Sequence, residues 1–168
     1  MFKTNDVVVY GAEGVFKIAG LENKTISGTD KMYYVLKPIN SKNSTVYVPG
    51  DNKQLLSKMR NTASKREINS LIDSMSAIEA KWIGDERERR FSYKNILAAG
   101  DPAALIGMIK TLCQQKKELE AKGKHLHIVD ERILRAAEQC LYDEWQYVLD
   151  MDRDDLISYI FSRIEKTP

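Results

Sequence analysis

The chain has 168 residues, enough for one compact domain or two small ones, and 43% are hydrophobic against 30% charged. A net charge of +2 and a pI near 8.4 exclude a protein that coats nucleic acid along its whole surface. Two cysteines, Cys113 and Cys140, with no CxxC pair exclude a disulfide scaffold and read as free thiols of a reducing cytosol.

The β-forming residues are concentrated at the front. Val7–Tyr10 predicts a first strand, and the two glycines of Gly11-Ala-Glu-Gly14 supply the turn. Val15–Leu21 predicts a second strand, Asn23–Asp30 a hairpin tip around Gly28, and Lys31–Ile39 a third strand with Tyr33 and Val35 opposite Tyr34 and Leu36. Asn40–Asn43 reads as a polar turn and Ser44–Val48 as a fourth strand stopped by Pro49-Gly50. Leu55–Met59 is the candidate fifth strand. Such a run predicts a strongly bent sheet or small open barrel that works by offering a strand edge or a turn to a partner.

From Ser64 the period changes from two to three and four. Ser64-Lys-Arg-Glu67 is a capping box ahead of Ile68, Leu71, Ile72, Met75 and Ile78. Trp82-Ile83-Gly84-Asp85 interrupts, and Asp85 caps a second helix that runs through Leu97 to Gly100. Asp101-Pro102 opens a third, ending at Lys122-Gly123-Lys124. A fourth starts at Ile128 or Asp130 and carries Trp145 in its apolar stripe; a fifth runs from about Arg153 to Ile164. The expected fold class is α+β: a β domain over 1–60 and an all-α bundle of about five helices over 61–168. No signal sequence or membrane-length apolar run is visible, so a cytoplasmic protein without membrane contact is expected.

Charge is uneven along this plan. Residues 1–60 hold nine basic and five acidic side chains, whereas 126–168 hold five and ten. Nucleic-acid contact is therefore expected to be local.

The chain has no phosphate-binding GxxxxGK[ST] loop, GxGxxG turn or GxSxG elbow. His125 and His127 could reach a zinc ion only with Cys113 and Cys140, and no pair has zinc-site spacing. An enzyme, a metal, a cofactor and a small-molecule ligand are all unexpected. The informative stretch is Trp82–Lys94, WIGDERERRFSYK, where Arg87, Arg90 and Lys94 recur at helical spacing among aromatics. One reading is a cationic helix that straddles phosphates beside a side chain wedged against a base step. The other is a solvated helix with salt bridges such as Glu86 to Arg90, its Trp filling the inter-helix core.

Several phrases resemble the CarD family of bacterial RNA-polymerase-binding transcription regulators, of the CarD/CdnL type. They are Phe2-Lys3, Asp6-Val-Val-Val-Tyr10, Gly14, Ile18, Lys24-Thr-Ile26, Gly28, Tyr33-Tyr-Val-Leu36 and Thr45-Val-Tyr-Val-Pro49, then Arg89-Arg90, Asn95, Leu97 and Ala99-Gly-Asp101. The resemblance runs from residue 2 to about residue 150. It implies a Tudor-like β domain docked by strand-edge pairing on the RNA polymerase β subunit, through Lys24, Thr25, Ile26, Val46, Tyr47, Val48 and Pro49. It also implies a helical domain at the upstream edge of the promoter bubble, touching minor groove and phosphates with weak sequence specificity. Trp82, Arg87, Arg89, Arg90, Lys94, Lys116 and Lys117 are the expected DNA contacts, with Trp82 the wedge that stabilises or tunes the open complex. Tyr47 stands where a compared relative has arginine. The transcription-repair coupling factor shares the β module but carries helicase motifs absent here. The alternative is a protein-interaction adaptor whose helical domain is only a scaffold.

Overall fold

The computed structural model describes residues 1–40 and 44–166, so most of the expected Asn40–Asn43 turn lies outside the described residues. The chain forms two units, Met1–Thr62 and the remainder from Ala63. The first is a five-stranded antiparallel sheet in the order β4-β3-β2-β1-β5, so β4 and β5 are its edges. Its strands are β1 (Val7–Tyr10), β2 (Val15–Ile26), β3 (Thr29–Pro38), β4 (Val46–Pro49) and β5 (Met59–Asn61). A short helix, α1 (Lys53–Leu56), precedes β5. The second unit holds α2 (Lys65–Ser74), a 3₁₀ turn (Met75–Ala77), α3 (Glu86–Ala99), α4 (Pro102–Ala121), α5 (Ile128–Leu149) and α6 (Arg153–Lys166). The α+β class is as expected from the sequence.

The central hairpin is longer than the polar residues 23–30 suggested. Pairing continues through Lys24↔Lys31 and Thr25↔Asp30 to Ile26↔Thr29. Only Ser27 and Gly28 turn the chain, with φ of 53° and 78°. Positive φ at both central residues is the two-residue turn whose twist matches its strands, and Gly28 supplies one of the two without steric cost. Ala19 is an extra residue between Ile18 and Gly20, a bulge that bends β2. One face buries Val8, Phe16, Ile18, Tyr34, Leu36, Val48 and Met59 as the core. The expected fifth strand begins only at Met59. Leu55 and Leu56 lie in α1, started by Asn52, whose side chain accepts the N–H groups of Gln54 and Leu55.

α2, α3 and α4 start where the sequence offers a cap. Ser64 and Glu67 close the capping box at 3.2 Å and 2.7 Å. Asp85 accepts from Glu88 N–H, and Asp101 from Ala104 N–H with Pro102 behind it. The first apolar stripe breaks at Ser74 instead of running to Ile78. There the Lys110 ammonium donates to the carbonyls of Met75, Ser76 and Ile78, which ties the 3₁₀ turn and the residue after it to α4. Trp145 is fully buried at the centre of the bundle.

α6 is clamped to α2. The Arg163 guanidinium forks onto the Asp73 carboxylate at 2.8 Å and 2.6 Å, and Tyr159 donates to Asn69 at 2.7 Å. The Arg163 hydrogen bond holds the Asp73 carboxyl below its ordinary 3.8. A carboxyl depressed in the folded state adds stability above its unfolded pKa and loses it as pH falls through the folded value. Acidification below about pH 4 is therefore expected to loosen α6 from α2. Hydrogen exchange of α6 amides should rise there in the native chain and lose that pH step in Asp73→Asn. A step that persists in the variant would assign it to another carboxyl.

Candidate docking edge and nucleic-acid interface

The hydrogen bond from Gly50 N–H to the Met32 carbonyl sets the phase of the β3–β4 ladder. With Tyr33 opposite Pro49, the alternation turns Val46 and Val48 toward β3 and leaves the N–H and C=O of Tyr47 on the open side. Tyr47 is 40% exposed. The Lys24 ammonium sits 3.2 Å from its ring centroid, a cation–π contact that joins two expected docking residues across the outer face. Ile26 stays exposed beyond them, and Thr25 donates to the Asp30 carboxylate. Val46 and Pro49 are half-buried.

Val48 differs from these. Opposite Tyr34 on the core face, it is buried, and its backbone groups face β3. It supports the edge and offers no surface to a partner.

In the helical unit the expected contacts divide into two groups. Arg89 is 6% exposed, because it leads the buried stripe that continues through Tyr93 one turn later. Its Nε and Nη2 donate to the two Asp130 oxygens at 3.3 Å and 2.9 Å. Its Nη1 donates to the carbonyls of Ile83 and Gly84 at 3.0 Å and 3.3 Å. The guanidinium carbon lies 4.3 Å from the Trp82 ring centroid. Four of its five N–H donors are engaged and its face lies against the indole, so the fold buries a residue that was expected among the DNA contacts. Arg90 pairs with Glu86 and lies 3.5 Å from His127 Nδ1. Lys116 pairs with Glu131 at 3.4 Å, and that contact holds the Glu131 carboxyl below its ordinary range.

These three cations converge on one place, the first turn of α5 with its cap, His127. The His127 Nδ1 accepts the Val129 N–H at 3.2 Å. Asp130 and His127 were not among the residues expected from the sequence. The signal for Asp130 was its place one turn into a helix start, together with an arginine in phase with the apolar stripe. Arg87 and Lys94 stand apart on the exposed side of α3 and form no ion pair among the described residues. Phe91, between them, is 71% exposed. Trp82 is half-buried against the bundle core.

Lys117 belongs elsewhere, at the rim of an apolar cleft of about 470 Å³ whose walls include Met75, Ile109, Leu141, Ile160 and Phe161. A thiol and a phenol also line that cleft, Cys113 and Tyr142. Burial pushes the Tyr142 hydroxyl up to about 12 and raises the Cys113 thiol above its ordinary value. Both are protonated at neutral pH, so neither is an activated nucleophile. Among the described residues no three His, Cys, Asp or Glu side chains cluster as metal ligands, and no helix is long and apolar enough to cross a membrane.

The bent five-stranded sheet thus presents a free edge residue, Tyr47, with a cation stacked on its ring. Residues 2–60 match the family model of the CarD-like/TRCF RID domain, so the N-terminal unit carries an RNA polymerase-interacting domain of that family. That domain supports a transcription factor that interacts with RNA polymerase, and the helical unit lies outside the match. The domain is a protein-interaction module and belongs to no known enzyme family.

Proposed function

We propose that the edge of β4, with Lys24, Thr25, Ile26 and Tyr47 around it, docks on the β subunit of RNA polymerase. The helical unit then meets promoter DNA at the upstream edge of the bubble, where Trp82 lies against the minor groove and tunes the open complex. The observation that carries the first half is the Lys24–Tyr47 stack at an open edge inside the matched domain. A strand added there would satisfy the Tyr47 backbone, and the stack would give it a shaped, charged neighbour.

The DNA half rests on the cations that the fold leaves uncommitted, chiefly Arg87 and Lys94, with Lys117 further off. Each neutralised phosphate contributes roughly 0.9 to the logarithmic salt slope. Two or three such contacts bind weakly alone, so the polymerase tether supplies the effective concentration.

Retention of the full chain on the isolated β-subunit lobe should fall in both Tyr47→Ala and Lys24→Ala, and undiminished retention of both would reject this surface. Trp82→Ala should shorten the open-complex lifetime while leaving polymerase retention intact. The adaptor reading is favoured instead by the internal pairing of Arg89, Arg90 and Lys116. It predicts polymerase retention with no salt-dependent DNA contribution.

A further inference from the structure

We infer that Arg89 and Asp130 are positioning residues for Trp82: the buried pair fixes the indole and the backbone that follows it, without touching DNA. The inference rests on the DNA role proposed for Trp82, and it deepens that reading.

Trp82, Ile83 and Gly84 belong to neither a helix nor a strand. Nothing in a helix or sheet ladder therefore fixes their conformation, and Gly84 has open space around its Cα. One group restrains all three residues. The Arg89 guanidinium covers the Trp82 ring and takes the carbonyls of Ile83 and Gly84, the next two along the chain. Asp130, 1% exposed, fixes that guanidinium from α5 by a two-point contact that sets its plane as well as its place. A ring held on a planar cation keeps its attitude when the surrounding loop moves. An ammonium has no plane to offer and fewer fixed donors, so lysine would keep the charge and lose the hold.

Stability alone does not explain this pair. Replacing a buried ion pair by apolar side chains of similar volume is often neutral or stabilising, because two desolvated charges cost as much as they return. What such a replacement would lose here is the directional grip on residues 82–84.

The test uses the full chain and acrylamide quenching of tryptophan fluorescence. Trp145 is fully buried, so the quenchable signal reports Trp82. Arg89→Lys is the first variant. Because it leaves a poorly matched buried pair, the double variant Arg89→Met/Asp130→Leu stands beside it, expected to fold with the bundle intact. In both, quenching of Trp82 should rise toward that of a free tryptophan. The open-complex lifetime should shorten roughly ten-fold, to the level of Trp82→Ala. Adding Trp82→Ala to the double variant should shorten it no further.

Unchanged quenching in a folded double variant would overturn the clamp. Raised quenching with a native lifetime, where Trp82→Ala alone shortens it, would overturn its link to DNA. If Trp82→Ala itself leaves the lifetime unchanged, the proposed DNA role fails, and the quenching result still decides whether Arg89 and Asp130 hold the indole.

Discussion

Asp130→Ala is expected to destabilise the helical unit by about 3–5 kcal/mol, the cost of leaving one member of a buried pair uncompensated. The Arg89 guanidinium would keep its two carbonyl acceptors but lose its only counter-charge among the described residues. It cannot shed the charge, since an arginine remains protonated at any accessible pH. For a domain with about 5–15 kcal/mol in hand, such a loss is a large share of the whole. A urea titration followed by far-ultraviolet circular dichroism should show an earlier midpoint with an unchanged slope. The apolar double variant Arg89→Met/Asp130→Leu should recover most of the midpoint. An Asp130→Ala protein as stable as the native one would mean that water reaches the guanidinium and the pair is not desolvated.

Trp145→Ala is the second large effect, at about 3–5 kcal/mol, from the lost transfer energy of the indole and the cavity it leaves. The ring is the largest fully buried side chain in the protein and packs 6.3 Å from the Tyr142 ring centroid. Its Nε1 finds no acceptor among the described residues. Trp145→Phe removes that unpaired donor along with some volume, and the two changes oppose each other. The phenylalanine variant should therefore lose far less than the alanine variant in the same urea titration. Equal losses would show that the nitrogen is satisfied and volume alone counts.

Local rules made much of the fold readable. Ser64, Asp85 and Asp101 are caps within three residues of what they cap, and Pro102 marks a helix start wherever it occurs. The hairpin tip and α1 were not readable, for opposite reasons. Residues 23–26 look like loop because they are polar, yet a two-residue turn and a neighbouring strand extend the ladder through them. Leu55 and Leu56 look like strand because they are apolar, yet Asn52 caps a helical turn there.

The candidate site divides in the same way. Periodicity set Arg87, Arg90 and Lys94 on a helix but could not say that Arg89, next to Arg90, turns inward. That depends on Asp130, 41 positions along the chain. The Lys24–Tyr47 stack was equally hidden, since the strands that carry the two residues meet only through β3.

The strand order also fixes how the polymerase-interacting unit can be assembled. The β2–β3 hairpin closes over two residues and can zip from its turn inward, the fastest kind of strand pairing. β5 behaves differently: Val9 pairs with Arg60, so the first and last strands of the unit meet across nearly its whole length. Non-local closures of this kind are entropically slow, because the loop must be ordered before any contact rewards it. The hairpin is thus expected to form early and the closing strand late, an order that φ-values at Ile26 and Arg60 would check. A chain cut short of Met59 would keep the β4 edge that bears Tyr47 and leave β1 open on the other side.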